Sequence, residues 1–452
     1  MLCGCQLEPP YDPIEVETPL KWKYQEKDIT TPPLICMDWW EIFKDPILHE
    51  LEQEAIARNP DLQAAMERVS EARNIVGIVR ADLYPHINLD PYHYNRGVLI
   101  EQYSVTGNHF LRAHQRDYAI PLLFKYEVDL WDQYWNEYKS AYLNAEAQAW
   151  NYETSLLILT TDLASAYFQM RIQDTLIDLL KATLATRHKT LSINQARFKT
   201  RVGNFSPVAL SELDLHQVEA LYENAMRARR LFENQIAILI GQPPAEFSLA
   251  HAPIYDSPPE IPSGLPSDII KKRPDIREQE MIMASIHAQI GVAYASYFPS
   301  IELIASAGFI SPNFRDFLTL WSRLWMYGVN VTQYIFDAGA RFYRVELTWA
   351  QYRETVAIYK KRVLDAFGEV ENALSNLQQL SKEREAIKKA IDAAKKAYII
   401  DLHRYLKETE SYLAVADDER QVLDNQRLYV ELLGLSYINT VQLIKALGGG
   451  WN

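Results

Sequence analysis

Residues Asn59–Leu89 read NPDLQAAMERVSEARNIVGIVRADLYPHINL, and Arg273–Leu303 read RPDIREQEMIMASIHAQIGVAYASYFPSIEL; the two stretches align without a gap. Pro60 and Asp61 recur as Pro274 and Asp275, Gly77 as Gly291, Ala81 as Ala295 and Pro85 as Pro299. The alternating tail Ile87, Leu89 recurs as Ile301, Leu303. A whole ungapped block marks an internal duplication, so the chain is two copies of one unit. Each copy predicts a helix opened by Pro at its first position and stopped at the next Pro, with Asn59 capping the first.

After each block the pattern changes period. Leu122, Phe124, Tyr126, Val128 and Leu130 fall on one face, and Lys125, Glu127 and Asp129 on the other. Trp325, Tyr327, Val329 and Val331 oppose Asn330 and Thr332 in the second copy. This alternation predicts strands at about 86–96, 119–130, 301–310 and 324–336, the first pair separated by a polar aromatic loop and the first strand changing phase at Pro91. Four strands are too few to close a barrel, and open edges cannot sit in lipid. Three chains would supply twelve strands long enough to cross an outer membrane at a steep tilt. Hairpins packed on helices in a soluble protein would give the same alternation. Trp321, Trp325 and Tyr327 suit an interfacial aromatic belt, but aromatic residues favour any sheet.

The segments after the strands are long. Tyr134 to about Lys199 holds neither proline nor glycine, and Ala340 to about Lys407 is interrupted by Gly368 alone. At 1.5 Å per residue each predicts a helix of about 100 Å. Ser206–Ile240 and Asp418–Leu447 return antiparallel. Helices of that length need neighbours on their apolar stripe, so they pair as coiled coils, with small positions such as Ala147, Ala164, Ala386 and Ala390 suiting packing on two sides. The resulting division is an N-terminal segment 1–38, a first repeat 39–257, a Pro/Gly-rich linker 258–265 and a second repeat 266–452.

The net charge of −13 argues against a nucleic-acid surface. No run of 18 apolar residues predicts a transmembrane helix. Of the three cysteines, Cys3 and Cys5 crowd the start and Cys36 follows, too few for a disulfide framework. Leu2-Cys3-Gly4-Cys5 resembles the end of a bacterial lipoprotein signal, which would make Cys5 the acylated residue and Glu8 to Pro33 an extended tether; a free thiol is the plainer reading. The ten histidines are scattered without an H-E-x-x-H pair, and there is no P-loop and no G-x-G-x-x-G. Nothing predicts catalysis, a cofactor or a metal site; Met281 and Met283 stand two apart and do not share a helix face.

Several segments resemble the outer-membrane efflux proteins, the TolC-like family, and most closely its lipoprotein branch. They are Asn59-Pro60-Asp61-Leu62, Arg80-Ala81-Asp82-Leu83-Tyr84-Pro85, Asp129-Leu130-Trp131, Lys272-Arg273-Pro274-Asp275-Ile276-Arg277, Ile290-Gly291-Val292-Ala293, Ile335-Phe336-Asp337 and Lys445-Ala446-Leu447-Gly448-Gly449-Gly450-Trp451. The resemblance implies a homotrimer with a twelve-stranded barrel and a periplasmic helical tunnel, lipid-anchored in the bacterial outer membrane. It would be the passive exit channel of a tripartite efflux system, working with a periplasmic adaptor and an inner-membrane pump to export drugs, toxic compounds or metal ions. A channel for type I protein secretion and a structural or adhesive coiled-coil protein are the alternatives.

Residue roles carry over with the resemblance. Asp417 matches an acidic position of the family's periplasmic gate, with Asp418 beside it and Arg404, Tyr405 and Arg420 as candidate anchors. The plainer reading makes Asp417 and Asp418 the acidic N-terminus of the returning helix. The adaptor-docking tips would be Arg197, Phe198, Val202 and Gly203 in the first repeat, and Ser411, Tyr412 and Leu413 in the second. The chain departs from the family at strand-to-helix turns, where Asp132 and Ala338 replace a common glycine, and at the tips, where Lys199 to Leu210 predicts a longer turn and Glu408 replaces glycine. Ala414 replaces a second gate aspartate that some members carry.

Overall fold

The computed structural model describes residues 7–12, 14, 16–24, 38–104, 107–201, 204–261, 266–407 and 409–449. Its elements fall into two compact units, one of residues 1–15, 68–148 and 278–359 and the other of 16–67, 149–277 and 360–452. In chain order they are α1 (Pro46–Arg58), α2 (Pro60–Ala81), β1 (His86–Leu89), β2 (Tyr92–Ser104), β3 (Gly107–Glu127), α3 (Gln133–Lys199) and α4 (Ser206–Leu239). The second copy gives α5 (Pro266–Lys272), α6 (Pro274–Ala295), β4 (Ser300–Ser311), β5 (Arg323–Thr332), α7 (Ala340–Leu406) and α8 (Tyr412–Ala446). The start of α2 follows from its sequence: Asn59 Oδ1 accepts from the Leu62 amide at 2.9 Å, satisfying an orphan donor of the first turn, and Pro60 needs no partner.

The first unit holds one antiparallel sheet, ordered β1-β3-β4-β5, with β2 also pairing β3. Register sorts its residues. Across β3, β4 and β5, Tyr126, Leu303 and Val329 stand in one row, Phe124, Ala305 and Tyr327 in the next, and Leu122, Ala307 and Trp325 in a third. Ile87 and Leu89 of β1 continue that face opposite Phe124 and Leu122. The other face carries Lys125, Glu127, Glu302, Ser306 and Asn330, with Lys125 paired to Glu302 at 2.5 Å.

Several sequence expectations need correction here. The stretch 97–118, expected as a loop, is a β hairpin in which Tyr92 pairs Ala119 and Ser104 pairs Gly107; two strands that satisfy each other's backbone groups need no buried alternating face. The first expected strand is two, broken where Pro91 withholds an N–H. The second and fourth end at Glu127 and Thr332, short of the expected 130 and 336. The α8 helix starts at Tyr412 rather than Asp418. That removes Asp417 and Asp418 from its first turn and with it the helix-dipole reading, which acts only there.

The departures at the strand-to-helix turns keep a left-handed backbone without glycine: φ is 54° at Asp132 and 53° at Ala338. Aspartate tolerates this region better than alanine does, because its short polar side chain bonds locally.

In the second unit, α1, α3, α4 and α8 share a core of Leu48, Leu51, Leu163, Tyr167, Phe168, Ile236, Ile240, Leu433 and Tyr437. Farther along, Ile177, Leu180, Val218, Ala225 and Leu423 continue the seam. The N-terminal segment is not a free tether where it is described. Within the first unit the buried Glu8 carboxylate accepts from Lys139 Nζ at 2.7 Å and faces His287 Nδ1 at 3.0 Å. Within the second, Trp22 is buried edge-on against Phe367. Cys5, Cys36, part of the 258–265 linker and Glu408 lie outside the described residues.

Candidate functional site

Three places could carry function: the apolar sheet face, a polar cluster near the ends of the long helices, and the helix turns. On the sheet, Trp325, Tyr327 and Val329 are 73%, 79% and 63% exposed. Leu122, Ile87 and Leu89 are also exposed on that face. A sheet in water would cover such a row; left open and continuous across several strands, it matches the lipid-facing band of a membrane sheet. The soluble-hairpin alternative requires helices over this face, and they are absent among the described residues. No described helix is long and apolar enough to cross a membrane.

The polar cluster is built on α3, α4, α7 and α8. Arg187 of α3 and Glu419 of α8 form an ion pair with both side chains almost fully buried. Burial pushes the Arg187 guanidinium below its ordinary value, with the nearby Asp214 opposing the shift. Arg420 Nη2 donates to Asp214 Oδ1 on α4 at 3.3 Å, while its Nη1 lies 3.9 Å from Asp417 Oδ1. Asp417 is exposed and accepts from Gln421 Nε2 at 3.1 Å. Arg420 therefore divides its charge between the two carboxylates. Arg404 does not join them; it pairs with Asp401 on its own helix at 3.3 Å. Asp418 has its carboxyl pushed up, first by burial and then by Asp401 and Asp417.

Tyr405 has a different job from the one expected. Its hydroxyl donates to Asn194 Oδ1 at 3.0 Å, its ring lies under the Arg197 guanidinium at 5.1 Å, and Tyr412 packs against it at 5.4 Å. Asn194 in turn donates to Ser211 Oγ at 2.6 Å, so one buried amide links α3, α4 and α7. Tyr412 is buried with Val415 and Ala416 against Leu210 and Tyr398, and that burial keeps it from any docking surface. Leu413 and Phe198 are exposed. Phe198 meets Phe205 edge-on at 5.5 Å. Ser411 precedes α8 without a side-chain cap bond. The first helix turn is shorter than expected, because Ser206 to Leu210 is already α4 with Pro207 in its first turn. Val202 and Gly203 lie outside the described residues.

Sequence reasoning missed Arg187, Asn194, Asp214 and Glu419. Each sits mid-helix among many polar residues, and only the pairing of helices far apart in sequence brings them together.

An uncovered apolar sheet feeding two 67-residue helices defines a channel protein of the outer-membrane kind. The sequence profile described as "Outer membrane efflux protein" matches residues 51–242 and 265–449, and the chain belongs to that family. It is 30% identical to the solvent efflux pump outer membrane protein SrpC of Pseudomonas putida over 476 residues, covering 100% of this chain and 97% of the relative. In fold it is similar to the outer-membrane channel OprN, with a TM-score of 0.91 at 24% identity over 99% of this chain and 100% of that one. It also resembles the open state of the Neisseria gonorrhoeae MtrE outer membrane channel, with a TM-score of 0.84 at 26% identity over 99% and 98% of the two chains. The protein is an outer-membrane efflux channel with a helical body on the periplasmic side, and it is not an enzyme.

Proposed function

We propose that three copies close into a twelve-stranded barrel whose polar sheet face lines the lumen, and that small organic molecules leave through it, as the names of the solvent pump relatives suggest. The observation that carries this reading is the pairing order. One chain leaves β5 with a free edge, β1 and β2 lie end to end along β3 as the opposite edge, and unpaired strand edges in lipid cost several kcal/mol per unsatisfied group. Copies of the same chain repair both edges by rotation about one axis. The detergent-solubilised particle is expected to weigh three chains plus bound detergent, and each chain, in denaturing mass spectrometry, to carry an acyl increment on Cys5. A stable monomer would end the trimer reading, and an unmodified Cys5 in the full-length gene product would end the anchor reading.

Asp417, Asp418, Arg420 and Asp214 form the periplasmic constriction in this reading. Arg197, Phe198, Val202, Gly203, Ser411 and Leu413 lie at the turns that meet a periplasmic adaptor, and an inner-membrane pump supplies the energy that this chain has no motif to harvest. The double substitution Asp417→Ala with Arg420→Ala is expected to raise single-channel conductance in a planar bilayer. Asp418 adds a pH dependence. Its carboxyl is raised, so the stabilisation it gives to the α7–α8 contact with Asp401 is fully present below the ordinary carboxylate range and is lost as pH rises through the raised value. Conductance should therefore climb from acid toward neutral pH, and Asp418→Asn should flatten the climb. An unchanged conductance in the double variant places the constriction elsewhere.

A further inference from the structure

Residues 7–12 lie in a groove of the first unit formed by α3, α6 and α7. The Glu8 side chain is 4% exposed. Its carboxylate accepts from Lys139 Nζ of α3 at 2.7 and 2.9 Å, and its Oε1 lies 3.0 Å from His287 Nδ1 of α6. The buried His287 ring is met edge-on by Tyr11 at 5.1 Å and by Tyr352 of α7 at 5.2 Å. Burial in this contact pushes the Tyr11 hydroxyl up to about 12. Beside Glu8 the helices approach closely at Gly291 of α6, where a Cβ would stand 2.4 Å from Asn136 Nδ2 and 3.2 Å from Glu8 Cβ.

The sequence of the segment suits this seat. Pro9 and Pro10 hold φ at about −65°, and the three-residue turn that such residues favour brings Glu8 and Tyr11 to one side. Both reach the same imidazole. A segment stiffened before it docks loses little entropy on docking, and a carboxylate taken out of water needs the partners that the groove supplies. The duplication offers a comparison. In the first copy Arg73 matches His287 and Gly77 of α2 matches Gly291, and a Cβ on Gly77 would meet nothing within 4 Å among the described residues. The filled groove therefore belongs to the second copy and is not a general consequence of the repeated unit.

We propose that the groove between α3, α6 and α7 is a peptide-docking site that selects a carboxylate and, three residues on across a proline pair, an aromatic ring, and that residues 7–12 of this chain are its occupant, locked by Glu8. The N-terminal segment is then mounted on the helical body instead of trailing from it. Cys5 stands three residues before Glu8, a reach of about 11 Å at most. On the anchor reading above, on which this consequence alone rests, a lipid on Cys5 is held close to one place on the body and not at the end of a long tether.

The detergent-solubilised full chain tests the site in two ways. Chymotrypsin should cut after Tyr11 about tenfold or more faster in Glu8→Lys than in the wild type, and adding Lys139→Glu should restore most of the resistance. A fluorescent peptide of residues 6–15, QLEPPYDPIE, should bind the Glu8→Lys chain saturably and the wild type, whose groove is filled, about tenfold or more weakly. The same peptide carrying Glu8→Gln and Tyr11→Ala should bind neither. Helical circular dichroism reports whether Glu8→Lys is folded; if it is not, Glu8→Gln takes its place in both measurements. Equal cutting of the wild type and the variant, or a peptide that binds both alike or neither, overturns the proposal. Neither readout involves the lipid or transport, so a failed anchor or channel reading leaves this result standing.

Discussion

Val329→Arg should remove the assembled protein from the outer-membrane fraction, whereas Asn330→Arg, one residue along the same strand, should leave it there. The two positions differ in face alone. Val329 stands in the row with Leu303 and Tyr126, and Asn330 in the row with Glu302 and Glu127. An arginine on the lipid side of a membrane strand costs about 2–4 kcal/mol per copy near the bilayer midplane, while a charge facing a watery lumen costs little. In a trimer the cost recurs in every copy. Membrane fractionation and the yield of particle resistant to mild heating in detergent read the difference. Equal yields for the two variants would show that the sheet does not face lipid on its Val329 side.

The second large effect lies at the ion pair between α3 and α8. Arg187→Met should destabilise the helical body by about 3–5 kcal/mol, the usual cost of leaving a buried charge without its partner. Both side chains of the pair are about 5% exposed, so water cannot take over. The reverse single change, Glu419→Leu, should cost a similar amount. The double variant should recover most of the loss, because two apolar side chains of similar volume pack where two charges had to be desolvated. Denaturant midpoints of the four proteins give the coupling directly. If the single changes are mild and additive, the pair is solvated in the assembled protein and contributes little. The same variants probe the proposed gate, since Arg187 and Asp214 flank Arg420; a destabilised pair should also raise leak conductance.

Much of the architecture is legible in the sequence because it is written in periods. The ungapped repeat names two equivalent units. The alternation around Leu122–Glu127 and Trp325–Thr332 assigns strands and their two faces. The glycine-free, proline-free runs assign helices of unusual length, and α3 and α7 end within a residue or so of where those runs end. Each signal is local, since backbone preference and side-chain period act over a few residues. The hairpin at 97–118 was not legible, because its sequence shows no sustained alternation of apolar and polar residues, and only the pairing of its two strands with each other reveals it. The true start of α8 was hidden for a related reason. Tyr412, Val415 and Ala416 begin its apolar stripe, and the following pair of aspartates imitates a helix start.

The candidate site was legible only where one helix carries both partners, as with Asp417 and Arg420, three residues apart. Arg187 with Glu419 and Asn194 with Tyr405 join residues hundreds of positions apart. Their side chains look in sequence like the solvated face of any long helix. Sequence by itself determined the duplication, the helix and strand types and the amphipathic faces, because these depend on spacing along the chain. Tertiary structure alone decided which faces stay uncovered, which buried charges find partners and that residues 249–257, after α4, cross from α3 to α7 and α8. Those outcomes depend on which surfaces remain after long-range packing, and no local period encodes them.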